Sequence, residues 1–139
     1  MEFNNDHFSI NIPSDVLKTN IGKKLAAISE NPSLPQLAKR IDKVLFSRKD
    51  PSKGGRPRFK TETMLKILIL KWLYNLSYVN VVDHIKVNLA YQFFIGMTSG
   101  FPDDHTVNDF NTLLRKHYVI EELFEKELGI MKDDWNNGR

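Results

Sequence analysis

Cysteine is absent from this 139-residue chain, so no disulfide staples it and no thiolate holds a metal. Strand signals are equally scarce. No six-residue stretch alternates apolar and polar side chains between turn clusters. No apolar run is long enough to cross a bilayer, since Met64–Leu76 is short and carries Lys66 and Lys71. The opening residues, Met1-Glu2-Phe3-Asn4-Asn5-Asp6-His7, are polar and lack the apolar centre of a secretory signal. These absences point to a cytoplasmic protein, one that neither enters nor spans a membrane. With 41% hydrophobic residues, a single core is expected without staples.

Helical spacing fills the space that strands leave. The expected fold is all-α, a compact bundle of about five or six helices containing a helix-turn-helix-like unit. Ser14 is placed as the cap of a helix running to about Asn31, with Leu17, Ile21, Leu25 and Ile28 inward. A second helix is predicted from about Pro35 to Phe46, with Leu37, Ile41, Val44 and Leu45 inward. Ser47–Arg58, rich in proline, glycine and bases, reads as a linker. Thr61 is then expected to cap a helix from Glu62 to Asn75 that is apolar almost all round, the mark of a central core helix. Ser77 caps the next, Tyr78–Val87, with Val79, Val82 and Ile85 inward, and Asn88 caps a short one, Leu89–Ile95, stopped by Gly96. Two more are predicted at His105–His117 and Val119–Leu128, followed by a disordered tail from Lys132. The corresponding division is an N-terminal arm and helix (1–33), a helical DNA-binding domain (34–118) and an acidic C-terminal helix and tail (119–139).

Charge is unevenly spread. Nine basic residues face two acids between Gln36 and Lys60, whereas six acids face three bases between Tyr118 and Arg139. A basic middle of this kind is the electrostatic footprint of a polyanion.

The helix expected at His105–His117 divides cleanly. Stepping about 100° per residue from Asn108, the side chains of Val107, Phe110, Leu113, Leu114 and His117 fall between about 140° and 260°. Asn108, Asn111, Thr112 and Arg115 gather within about 60° of zero, on the opposite face. One face suits a core. The other carries groups that pair with base edges, Asn with adenine and Arg with guanine. Asp103 and Asp104 lie where they cap and complement the helix dipole, and three adjacent residues rarely converge on one ion, so Asp103, Asp104 and His105 are not read as a metal site.

Ahead of the apolar helix, Arg56-Pro57-Arg58 is stiffened by proline and preceded by Gly54-Gly55. It partly resembles an AT-hook, whose core is Arg-Gly-Arg-Pro. Inserted arginines of this sort follow the negative potential of a narrow minor groove.

Four segments in order resemble one family. They are Gly55-Arg56-Pro57, then Met64 to Ser77 with its ending Leu73-Tyr74-Asn75-Leu76-Ser77, then Phe93-Phe94-Ile95-Gly96, then Pro102-Asp103-Asp104-His105-Thr106-Val107-Asn108-Asp109-Phe110. Together they resemble the N-terminal domain of bacterial insertion-sequence transposases of the InsH type, over roughly Pro35–His117. The resemblance implies a helical domain that binds the terminal inverted repeats of a mobile element. In that family a DDE nuclease domain follows, with three metal-binding carboxylates. This chain ends at Arg139, so the expectation is recognition without cleavage, with no catalytic residues, no cofactor and no metal. The family often carries Ser-Arg-Phe-Arg in its last helix, where this chain has Asn108-Asp109-Phe110-Asn111.

The expected partner is double-stranded DNA, with a homodimer left open and neither a small-molecule substrate nor a membrane involved. Phosphate or minor-groove contacts are assigned to Lys39, Arg40, Lys43, Lys53, Arg56, Arg58 and Lys60. Major-groove contacts are assigned to Asn108, Asn111, Thr112 and Arg115, with Lys116 beside them. Two other classes stay open: a stand-alone helix-turn-helix transcriptional regulator, and a protein-interaction module using the acidic helix.

Overall fold

The computed structural model of this chain describes residues 14–46 and 59–132, and those residues form helices and connecting turns with no strand among them. In chain order the helices are α1 (Ser14–Lys18), α2 (Asn20–Ser29), α3 (Ser33–Phe46), α4 (Thr61–Leu73), α5 (Tyr78–Val87), α6 (Leu89–Ile95), α7 (Asp104–Arg115) and α8 (Ile120–Glu122). The last runs on into a π-helical turn, Leu123–Glu127. No helix among the described residues is long and apolar enough to cross a membrane.

The chain is built around α4. Leu65, Ile67, Ile69 and Leu70 are completely buried, and α3, α5, α6 and α7 all pack on this helix. Its apolar surface points every way, so only a central position removes all of it from water. Leu25 and Ile28 of α2, and Ile120, Phe124, Leu128 and Ile130 near the C-terminal end, join the same core. Phe124 is seated against the Trp72 ring at a centroid distance of 5.3 Å.

The single helix expected from Ser14 to Asn31 is two helices. Thr19 breaks it: its hydroxyl accepts from the Gly22 N–H at 2.9 Å and donates to the Val16 carbonyl at 2.7 Å. A Cβ on Gly22 would stand 2.0 Å from that carbonyl oxygen, so only glycine fits the corner. The break rotates the following residues, and Ile21 is exposed. The roles expected of Ser14 and Leu17 fall on side chains outside those described.

Other inward assignments also shift. Val44 and Val79 are about half exposed, and Val81 takes the core position on α5 beside Val82 and Ile85. Thr61 does not cap α4. Lys60 is the cap residue, without a side-chain bond, and the Thr61 hydroxyl instead hydrogen-bonds the Asp42 carboxylate of α3. The α5–α6 corner is built as expected. Asn88 ends α5 and caps α6 by accepting from the Tyr91 N–H at 3.2 Å, and Gly96 closes α6 in the left-handed region. Buried Gln92 then donates to the Ile85 carbonyl at 2.9 Å and the Lys86 carbonyl at 3.3 Å, satisfying the open end of α5.

Candidate nucleic-acid interface

Helix α7 follows a loop that opens at Gly96 and ends at Asp103. The Asp103 carboxylate accepts from the Thr106 N–H at 2.8 Å, which satisfies one of the orphan donors at the helix start. Val107, Phe110 and Leu114 are buried against the body. Helix α5 packs beside α7, and α3 and α4 support it from below. The helix ends at Arg115, two residues earlier than its periodicity predicts, and His117 is exposed instead of inward.

The outer face splits into free and committed groups. Asn108 and Thr112 are both exposed, and their side chains lie within 3.5 Å of each other. Asn111 departs from the expected pattern. It is half-buried, and its amide donates to the Tyr78 hydroxyl of α5, so it fastens α7 to its neighbour and is not presented outward with Asn108. Arg115 is exposed and pairs with Glu121 at 3.2 Å. Lys116 is exposed and has no ion pair among the described residues.

On α3, Lys39 and Lys43 are exposed, again with no ion pair among the described residues. Arg40 pairs with Glu127 of the π-helical turn at 2.5 Å. Lys60 is exposed at the start of α4. Lys53, Arg56 and Arg58 lie outside the described residues.

The acidic C-terminal stretch therefore reaches two of the assigned cations, Arg115 through Glu121 and Arg40 through Glu127. The Glu121 carboxyl is held below the ordinary carboxylate range, chiefly by a backbone hydrogen bond and further by Arg115 and the field of Lys132. Tyr78 and Glu121 are the residues that sequence reasoning missed. Tyr78 meets Asn111 across 33 positions, a pairing without a local signal, whereas the excess of acids after Tyr118 marks Glu121 as a candidate partner for a base.

Among the described residues, no group of three or more His, Asp or Glu side chains is placed to hold a metal ion. Residues 23–115 match a family model described as Transposase domain (DUF772). No curated protein and no solved structure matches the chain.

Proposed function

This chain belongs to the transposase-domain family, and we propose that within it the helical body recognises duplex DNA at the terminal inverted repeats of a mobile element. One observation carries this reading. Helix α7 is locked onto the core by Val107, Phe110 and Leu114, and it turns Asn108 and Thr112 outward with Arg115 and Lys116 beyond them. A rigid helix with apolar residues inward and short hydrogen-bonding residues outward is what the major groove admits. We assign α7 as the reading helix of a helix-turn-helix-like unit, with α5 and α6 as its support.

Asn108 and Thr112 are the residues that face base edges. Phosphates are gripped by Arg115 and Lys116 from α7, by Lys39, Arg40 and Lys43 from α3, and by Lys60 with Lys53, Arg56 and Arg58 from the basic linker. Each of these roles is electrostatic, so binding weakens steeply as salt rises. The chain's part is recognition, and cutting and joining of strands is assigned to a separate nuclease domain.

The test is a gel-shift series on the element's own ends and on random duplex. Asn108→Ala with Thr112→Ala removes contacts worth about 1–3 kcal/mol of base discrimination each. Tenfold or greater loss of preference for the ends is expected, with affinity for random duplex held. Equal loss on both duplexes rejects the base-reading role. A palindromic promoter footprint would favour the regulator reading, and no binding to any duplex at low salt would favour a protein-interaction module.

A further inference from the structure

A cleft of about 330 Å³ opens between the C-terminal half of α4, the end of α7 and the segment after it. Leu68, Trp72 and Phe124 are among the apolar residues that line it. Its rim holds three cations, Lys71, Arg115 and Lys132, against one carboxylate, Glu121.

Each cation is held in position. The Lys71 ammonium sits 4.4 Å from the centroid of the Tyr78 ring. The Lys132 ammonium donates to the Asn75 side-chain carbonyl at 2.8 Å and lies 5.2 Å from the centroid of the Trp72 ring. Asn75 itself adopts a positive φ of 54°, in the left-handed region that asparagine tolerates better than most residues. Arg115 holds Glu121. Neither lysine makes an ion pair among the described residues, so positive charge is left over along the cleft.

Capping of α4 does not explain this cluster. The N–H groups of Tyr74, Asn75 and Leu76 already close onto the carbonyls of Leu70, Trp72 and Lys71. The surplus charge is therefore free to meet an anion from outside. Asn111 and Arg115 of α7 both line the cleft, so it lies beside the helix that carries Asn108 and Thr112, where a DNA strand flanking that helix would run.

We propose that this cleft receives one phosphate of the DNA backbone, held by Lys71, Arg115 and Lys132, and that Glu121 is a resident anion which gives up Arg115 when that phosphate arrives. The inference rests on the DNA-binding reading and adds two contacts, Lys71 and Lys132, and one competitor. A carboxylate and a phosphate both match the guanidinium fork, so exchange of one for the other keeps Arg115 satisfied. Glu121 and Lys132 lie beyond residues 23–115, so the competitor and one cation are supplied from outside the family-matched region.

The experiment measures affinity of the full chain for a duplex carrying an element end, across a salt series. Glu121→Gln is expected to tighten binding about threefold at moderate salt, the worth of roughly one phosphate contact. Lys71→Gln with Lys132→Gln is expected to weaken it about three- to tenfold and to flatten the log–log salt slope by about one. Circular dichroism checks that each variant keeps its helices. If wild type binds and all variants keep its affinity and slope, the cleft is overturned while the DNA-binding reading survives. Inorganic phosphate at constant ionic strength is the second arm, read at the Trp72 indole resonance. A saturable shift that the double lysine variant abolishes supports phosphate as the ligand, and no shift with either phosphate or duplex overturns it. A chain that takes phosphate but no duplex overturns the DNA source, together with the reading beneath it.

Discussion

Helices α4 and α7 are nearly equal in length and opposite in use. Ten of the thirteen residues of α4 are buried, against three of the twelve in α7. Around α4 the chain has placed apolar side chains on all sides and other helices over them. Around α7 it has kept one apolar stripe and left the rest to solvent. One helix holds the fold together, and the other is free to present chemistry because that stability does not depend on its outer face. The separation can be broken from either side.

The largest effect is expected at α4. Ile67→Ala removes a completely buried side chain at the centre of the core, and such truncations cost about 2–5 kcal/mol. Against a total of roughly 5–15 kcal/mol for a domain of this kind, that is a large share. Urea denaturation followed by circular dichroism measures it. A cost below about 1 kcal/mol would mean that the neighbours of α4 collapse around the gap, and that the organising role lies elsewhere.

The same contrast explains what the sequence made legible. A helix apolar all round, and a helix with one stripe, both announce themselves through local periodicity. So do the Ser77, Asn88 and Asp103 caps and the Gly96 stop, because each depends on a residue's own backbone neighbours. Periodicity identifies a face but not what covers it. Val44 and Val79 have the right spacing and no partner, and they stay exposed. Thr19 interrupts a continuous apolar period by accepting and donating locally, an option that β-hydroxyl side chains always carry and that only the Gly22 corner makes decisive. The pairings that shape the proposed interface were out of reach for a different reason. Asn111 with Tyr78, Lys132 with Asn75 and Arg40 with Glu127 each join residues dozens of positions apart. Lys132, expected in a disordered tail, is instead fixed over Trp72.

Lys66 is the exception inside α4, and it offers an intermediate effect. Its side chain is buried, 3.4 Å from Glu62 and 5.5 Å from the centroid of the Phe94 ring. Burial lowers its pKa, and Glu62 only partly offsets this. Lys66→Met keeps the apolar stem and removes a charge that is poorly solvated, while Glu62 stays partly hydrated. A gain of about 1–2 kcal/mol at neutral pH is expected, because the Glu62 left behind is exposed enough to be hydrated, unlike the charge stranded when a fully buried pair loses one partner. The pH profile supplies the sign. Below 10.5 the unfolded lysine binds a proton that the folded one resists, so wild-type stability rises with pH approaching 10.5. Tyr91 and Tyr74 act the other way. Burial pushes Tyr91 up to about 12 and raises Tyr74 as well, so their contribution is full below 10 and is lost as pH climbs through the Tyr91 value. Thermal melts between pH 7 and 11 should therefore show a rise and then a fall in wild type. The rise should flatten in Lys66→Met, and an unchanged rise would show that Lys66 is charged and solvated in the fold.

The smallest effect is expected on the outer face of α7. Asn108 and Thr112 are exposed, and their mutual contact at 3.5 Å is at the limit of a hydrogen bond. Neither touches the core, and alanine has the higher helix propensity. Asn108→Ala with Thr112→Ala should therefore change unfolding free energy by less than about 0.5 kcal/mol. Urea denaturation tests this on the same protein used for the gel-shift series. Stability unchanged, with preference for the element's ends lost, would place their value wholly in recognition. A destabilisation above 1 kcal/mol would mean that α7 is structural on both faces, as α4 is, and the contrast between the two helices would no longer support a reading role for either.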